Sequence, residues 1–308
     1  MTGAILVTGA GGCIGAWVVA RLAREGAGVV AFDLTDDRRR LRLALDDRAV
    51  AAVSWIKGDV TDVAALEAAI AAHGVEAIIH LAALQIPFCK ADPLAGARVN
   101  VVGQTAVFEA ARRASLLHVV YASSVAALGI KDPAAHPTTL YGVFKRADEG
   151  IAHVYWQDWQ VPSIGLRPHT VYGPGRDQGL TSAPTKAMVA AVAGVPFTIP
   201  FSGPLAFQFV DEVAEAFVRC ARADVAGAHV HDLQGEATDV EAIVAAIRRH
   251  RPDAKLAIDG PSLPVPAAFD DRALRRLVGD WGAVPLEEGV GRAMTAFADL
   301  VARGLVTP

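Results

Sequence analysis

A doubly wound α/β sheet is the fold class that the sequence predicts, and three observations predict it. Apolar runs without polar interruption recur from the first residues onward: AILVT, VVAF, AVSWI, AIIHLA, HVVYAS and SIGLRP. Longer amphipathic stretches separate them, so strand and helix alternate. Glycines cluster directly behind the first run, in TGAGGCIG. Unbroken apolar runs mark strands covered on both faces, as in a parallel sheet flanked by helices; half-exposed strands would alternate.

Taken in order, AILVT is the first strand, and a helix opens near Gly12. VVAF is the second strand and ends on Asp33, AVSWI is the third, and a helix starts at Val63 with Thr61 or Asp62 where an N-cap belongs. AIIHLA, a helix near Val99, HVVYAS, a helix near Tyr141 and SIGLRP complete the alternation. After Arg167 the texture changes to RPHTVYGPGRDQGLTSAPTK, where prolines and glycines predict loops. A helix of small residues is expected at 184–193, then FQFVDEVAEAFVRCARA as a short strand running into a helix. A further helix at 239–250, the proline-rich GPSLPVPAAF and a C-terminal helix close the chain. Residues 1–165 with about 206–232 should form a nucleotide-binding domain, and about 166–205 with 233–308 a smaller, discontinuous substrate-binding part.

Composition narrows the functional classes. The 308 residues are 53% hydrophobic and 20% charged, which suits a globular domain and argues against disorder. The formal net charge of −4 provides no broad basic field for nucleic acid or anionic lipid. The one concentrated basic stretch, RRRLR at 38–42, is followed by Asp46 and Asp47 and reads as a solvated face. Cys13, Cys89 and Cys220 are far apart and in no metal-ligand spacing, which points to a reducing compartment. With no charged leader ahead of the first strand and no apolar run near the ~18 residues that span a bilayer, the expected location is the cytoplasm.

The glycines carry the first chemical signal. Gly9, Gly12 and Gly15 follow a buried strand and open a helix, the context in which such a pattern cradles a pyrophosphate. Gly9 allows the tight turn, Gly12 the close approach of phosphate and Gly15 close helix packing. Asp33 ends the second strand, where a carboxylate accepts hydrogen bonds from both ribose hydroxyls and repels a 2′-phosphate. NAD is therefore expected rather than NADP, with Arg38 the residue that opposes this choice.

The second signal is YGVFK. Tyr141 and Lys145 stand four residues apart, on one face of a helix, seventeen residues after Ser123–Ser124. A cation held beside a phenol favours the phenolate, so the pair is a proton-transfer device. A serine hydroxyl nearby can donate to a substrate oxygen as charge develops there.

Together TGAGGCIG, Asp33, GDV at 58–60, HLAA at 80–83, SSVAALG at 123–129, YGVFK, RPHTVYGPG at 167–175 and FQFVDEVAEA at 207–216 resemble the extended short-chain dehydrogenase/reductases, in their epimerase/dehydratase branch. The ordered set spans nearly the whole chain. The resemblance implies a Rossmann-type domain and catalysis by Ser124, Tyr141 and Lys145, with Ser124 chosen over Ser123 because it lies five residues before Gly129. It implies that Asp59 and Val60 hold the adenine and that Leu81, Ala82 and Ala83 line the cofactor. Asn100 stands where an asparagine supports that strand, and Cys13, Ile14, Pro168 and Val171 join Tyr141 and Lys145 at the cofactor. It also implies a homodimer through helices equivalent to 99–113 and 141–158, to which Trp156 and Trp159 contribute either core or subunit contact.

Departures from the family pattern refine the chemistry. Dehydratases of this branch carry an Asp-Glu pair after the catalytic hydroxyl; here Val125 and Ala126 follow Ser124, which disfavours dehydration. Nucleotide-sugar epimerases grip the diphosphate with arginines in two places that here read GPLAFQFVDE and GPSLPVPAAFDD, without arginine. Each missing charge-assisted contact removes on the order of 1.5–3 kcal/mol. The expectation is thus a net NAD-dependent dehydrogenase or reductase of a small sugar, sugar acid or related hydroxy compound, with Arg176 the candidate to hold the substrate. The rival for Arg176 is a surface pair with Asp177. An epimerase that retains NAD is the enzymatic alternative, and a non-catalytic dinucleotide sensor the second. His229 and His231 alternate on a strand without a third ligand nearby, so no metal is expected; His80 and His169 read as packing residues near the cofactor.

Overall fold

The structure, a computed structural model, describes residues 3–116, 118–129, 136–263 and 268–308. Residues 264–267 of the proline-rich stretch lie outside the described residues. The strands are β1 (Ala4–Thr8), β2 (Val29–Asp33), β3 (Ser54–Lys57), β4 (Val75–His80), β5 (His118–Ala122), β6 (Ser163–Arg167), β7 (Thr170–Tyr172), β8 (Phe197–Ile199), β9 (Pro204–Phe209), β10 (Ala228–Asp232), β11 (Glu236–Asp239) and β12 (Leu256–Ile258). The helices are α1 (Cys13–Arg24), α2 (Asp47–Ala52), α3 (Val63–His73), α4 (Ile86–Ala91), α5 (Pro93–Ala97), α6 (Gly103–Arg113), α7 (Leu140–Trp159), α8 (Ala183–Ala193), α9 (Val210–Arg222), α10 (Val240–His250), α11 (Arg272–Val278) and α12 (Leu286–Ala302).

Seven strands form a parallel sheet in the order β10-β6-β5-β4-β1-β2-β3. The chain starts in the middle, winds out to β3, then returns across β1 to β4 and winds out the other way. Helices cover both faces of the resulting Rossmann-type sheet. The direction of winding reverses between β1 and β4, and the crevice beyond the carboxyl ends of those two strands is where such sheets bind ligands. All six apolar runs are strands of this sheet. The central ones are buried on both faces, with Leu6, Val7, Ile78, Ile79, Val119 and Val120 fully inaccessible. Each such side chain contributes about 1.5–3 kcal/mol over its exposed state.

Local chemistry sets the helix ends. Asp62 accepts from the Ala65 N–H at the start of α3, and Gly74 closes that helix with φ +59°. Thr139 accepts from the Gly142 N–H at the start of α7. The helix expected near Val99 is instead three pieces, α5, a π-helical turn at Arg98–Val102 and then α6. The stretch after Arg167, expected as loops, contains β7, which pairs with β9 in a small sheet of order β11-β9-β7. Tertiary pairing overrides the glycine-rich texture there.

The interior comprises two clusters, one on each face of the large sheet. The smaller gathers Leu6, Phe32, Leu66, Phe108 and Tyr121 under α3, α6 and α7. The larger begins with Ile5 and Val7 under α1 and α9 and continues without a break into α8, α10 and α12. Among the described residues no helix is long and apolar enough to cross a membrane.

Candidate active site

The glycine turn lies at the end of β1 and fits a dinucleotide. Gly9 has φ +67°, and a Cβ on it would fall 2.6 Å from the Ala82 backbone nitrogen. A Cβ on Gly15 would lie 2.1 Å from the Gly9 carbonyl oxygen. The ends of β1 and β4 and the first turn of α1 therefore meet at backbone contact, which side chains would prevent. Gly12 caps α1 without a side-chain hydrogen bond, and no acid stands in the first turn, so the positive end of the helix at Cys13, Ile14 and Gly15 is open to an anion. Burial pushes the Cys13 thiol up to about 11, keeping it neutral beside this anion site.

Asp33, at the end of β2, accepts a 2.9 Å hydrogen bond from the Gly11 N–H, which fixes its carboxylate against the turn. Arg38 is engaged elsewhere: it pairs with Asp36 at 2.7 Å, donates to the Val50 carbonyl and lies over the Trp55 ring. The cradle thus presents an acid, with no free guanidinium from Arg38 to welcome a 2′-phosphate. Asp59 accepts from the backbone N–H and hydroxyl of Thr61, and these bonds hold its carboxyl below the usual range. Val60 is buried against Gly103. Leu81 donates its N–H to the Thr8 carbonyl, and Asn100 grips both backbone groups of Leu84, at 2.7 and 2.9 Å. Buried Asn100, standing in the π-helical turn, thereby fixes the segment that carries Leu81, Ala82 and Ala83.

Ser124, Tyr141 and Lys145 are brought together by the packing of α7 on the turn after β5. A Cβ on Gly142 would fall 2.1 Å from the Ala126 carbonyl oxygen, so the first turn of α7 rests directly on the Ser124 turn. The Ser124 oxygen accepts from the Ala126 N–H at 3.1 Å. No acceptor for its proton stands among the described residues, so the hydroxyl is free to donate. Ser123 is turned the other way, onto Glu149, which also takes both ends of the Arg167 guanidinium. Of the two serines, Ser124 is the one available to a ligand. The Lys145 ammonium lies 6.0 Å from the centre of the Tyr141 ring. Lys145 is 2% exposed, and its Nζ is 3.1 Å from Asp148 Oδ2. Burial works against its charge, but Asp148 first and Tyr141 next more than offset it, and the lysine pKa is raised.

His80 is buried behind this group with Nδ1 2.7 Å from the Thr8 hydroxyl; burial, then the charge of Lys145, push it down to about 3, so it is neutral. His169 packs its ring on Phe269. Pro168 is buried and its carbonyl accepts from Val125 at 3.4 Å, and Val171 is 5% exposed in the larger core cluster.

Two expectations about arginines are corrected. Asp177 pairs with Arg40 at 2.8 Å, not with Arg176. Arg176 instead donates to Gln85 at 3.3 Å and to the Thr181 hydroxyl at 2.9 Å, and its Nε is buried without a partner. The basic run is also not a uniformly solvated face. Arg40 ties the Gly11 carbonyl to the Gly175 carbonyl as well as to Asp177, joining the glycine turn to the loop that carries Arg176. His229 and His231 stack with ring centres 6.0 Å apart, and no cluster among the described residues has the makings of a metal site. Trp159 is 48% exposed and packs on Tyr155 and Arg112. Asp148, Gly142 and Arg40 were not foreseen in the sequence; the one signal available was that Asp148 follows Lys145 by three residues, on the same helix face.

Comparison with known proteins identifies the family. Residues 5–234 match the NAD dependent epimerase/dehydratase family. A UDP-glucose 4-epimerase of Mycolicibacterium smegmatis is 30% identical over 312 residues, covering 95% of this chain and 97% of that protein. A probable UDP-glucuronate 4-epimerase of Rhizobium meliloti is 31% identical, over 80% of this chain and 74% of its own. Among solved structures, a partial consensus L-threonine 3-dehydrogenase superimposes with a TM-score of 0.83 at 22% identity, covering 96% of this chain and 99% of its own. A UDP-glucose 4-epimerase of Thermus thermophilus, in complex with NAD, gives 0.79 at 22% identity over 98% and 100%. These structures share the fold. The chain belongs to the NAD-dependent epimerase/dehydratase family, and NAD is its cofactor.

Proposed function

We propose that the protein is an NAD-dependent oxidoreductase that interconverts a secondary alcohol and a carbonyl on a small sugar, sugar acid or related hydroxy compound. The observation that supports this reading is the seating of the first turn of α7, which bears Tyr141 and Lys145, on the Ser124 turn, in a sheet whose first strand ends in a glycine turn shaped for a dinucleotide. NAD, held by Gly9, Gly12, Gly15 and Asp33, supplies the hydride acceptor or donor. Tyr141 exchanges a proton with the substrate oxygen, and Lys145 supports its phenolate. The free proton of Ser124 donates to the same oxygen and stabilises the charge that develops there. Arg176, which has no carboxylate partner among the described residues, grips an anionic or polyhydroxy substrate.

The absence of arginine from GPLAFQFVDE and GPSLPVPAAFDD supports a substrate without a nucleotide diphosphate. Of the described arginines that follow the second stretch, Arg272 pairs with Asp270 and Arg275 with Asp271 and Asp280, while Arg276 forms no ion pair among the described residues. A second reading, an epimerase that retains NAD and returns hydride to the opposite face, is favoured by the UDP-sugar epimerases among the relatives. A sensor without catalysis has no use for the Tyr141–Lys145 pair. We also infer a homodimer, formed through the exposed face of α7 and its neighbours.

The test is a screen of sugars, sugar acids and hydroxy acids with NAD and NADP, followed at the nicotinamide absorbance. Stoichiometric NADH accumulation with one of them supports the dehydrogenase; conversion of a UDP-sugar without released NADH supports the epimerase. Tyr141→Phe is expected to abolish turnover and leave NAD affinity within about twofold; retained turnover would reject the acid/base role.

A further inference from the structure

We propose that Asp148 is a positioning residue for the proton-transfer pair: its carboxylate, 3.1 Å from Nζ inside the protein, keeps Lys145 an ammonium and fixes its direction. The inference rests on the role given above to Lys145 beside Tyr141.

Besides Tyr141 itself, the geometry leaves no other counter-charge among the described residues. Tyr141, Lys145 and Asp148 lie at i, i+4 and i+7 on one face of α7, and the Lys145 and Asp148 side chains are 2% and 0% exposed. A buried ammonium without a counter-charge gives up its proton rather than bear the desolvation cost. A neutral lysine can no longer favour a phenolate. The other polar groups facing the pair are His80 on β4, Cys89 on α4, Gln104 on α6, Tyr121 on β5, and Tyr141 and Glu149 on α7. His80 is neutral, and burial pushes the Cys89 thiol and the Tyr121 phenol up, so neither carries charge. Gln104 bears no charge and donates to the Asp148 carbonyl. Glu149 is spent on Arg167 and Ser123. Asp148 is thus the one carboxylate placed to support Lys145 among the described residues.

The pair is lopsided. Oδ2 meets the lysine, whereas Oδ1 is buried without a partner. Burial, against the opposing pull of Lys145, lifts the Asp148 carboxyl to about 6. The ammonium stays charged over the range in which the carboxylate is ionised, and two of its protons remain for the side where Tyr141 stands.

Asp148→Asn keeps the shape and removes the charge. In NAD-free protein carrying lysine labelled with 13C at Cε, the Lys145 signal of the wild type is expected to titrate above the ordinary lysine value of about 10.4. In Asp148→Asn it should titrate at least ~1 pH unit lower than in the wild type. The alkaline limb of turnover should move down with it, and Asp148→Glu should restore both. An unchanged Lys145 titration in folded Asp148→Asn overturns the proposal. Should that variant not fold, Lys145→Met reads the pair from the other side: the Asp148 carboxyl, labelled with 13C, must titrate higher without its cation, and an unmoved titration overturns the proposal equally. Failure of every alcohol and carbonyl to be turned over would sink the oxidoreductase reading and leave these titrations interpretable. Intact turnover with an unmoved lysine would sink the Asp148 role alone.

Discussion

Gly142 sets the spacing between the Tyr141 turn and the Ser124 turn on which the proposed chemistry depends. Its missing side chain lets the α7 backbone rest on the Ala126 carbonyl, and that contact puts the Tyr141 turn beside the Ser124 turn. Gly142→Ala must push the two apart or bend the 3-10 turn at Val125–Ala127. Displacements of about 1 Å cost up to ~10²-fold in rate. The expected outcome is a kcat lowered ten- to a hundredfold with NAD affinity kept, checked by steady-state kinetics beside equilibrium NAD binding; an unchanged kcat would show that the contact does not set catalytic distance. The candidate residues Tyr141 and Lys145 could be singled out in the sequence because their spacing lies within one helix, and the glycines because theirs lies within one turn. Gly142 and Asp148 could not, because their roles come from contacts across space: one with a turn sixteen residues earlier in the chain, the other with the burial created by α4, α6 and β4.

At the scale of elements, α7 has two faces with different tasks. Gly142, Lys145, Asp148, Ala152 and Tyr155 are buried against the sheet side. On the other face Val143 and Val154 are each 44% exposed, Gly150 has open space above it, and Leu94 and Val102 stand exposed on the neighbouring α5 and the turn before α6. Apolar side chains at this spacing suit a helix-to-helix contact with a second copy. Val154→Asp is expected to shift sedimentation from dimer to monomer; a wild type that sediments as a monomer removes the dimer altogether. Strands β1, β2, β4, β5 and β6 were legible because their mostly apolar runs are covered on both faces, whereas β3, an edge strand with no buried residue, was marked only by the run AVSWI. The strands β7, β8 and β12 have three residues each, too few for a period to show, and only their partners make them strands. The π-helical turn at Arg98–Val102 was equally hidden, since nothing in RVNVV departs from an ordinary helix until Asn100 is seen holding Leu84.

Over the whole molecule, the division into a nucleotide-binding body and a substrate part was read from a change of texture after Arg167. Packing does not observe that border, for one apolar cluster runs from β1 and α1 through α9 into α8, α10 and α12. Texture reports local order, whereas the core depends on which faces meet. Charge shows the same contrast between local and global. The chain carries −4 overall, yet Arg40 and Arg176 both act on the thiol of Cys13 at the open end of α1, with Asp177 as the carboxylate beside them. The clasp that Arg40 makes between Gly11 and Gly175 therefore also brings two guanidinium groups, against the one carboxylate of Asp177, to the open end of α1, a balance that favours a locally positive field in a chain of net charge −4. Such a field draws dianionic visitors inward and weakens as counter-ions crowd it. Stopped-flow fluorescence should find NADH arriving several-fold more slowly at 0.5 M salt than at 0.02 M while its departure changes little, and an arrival rate indifferent to salt would mean that diffusion alone brings the dinucleotide to this door.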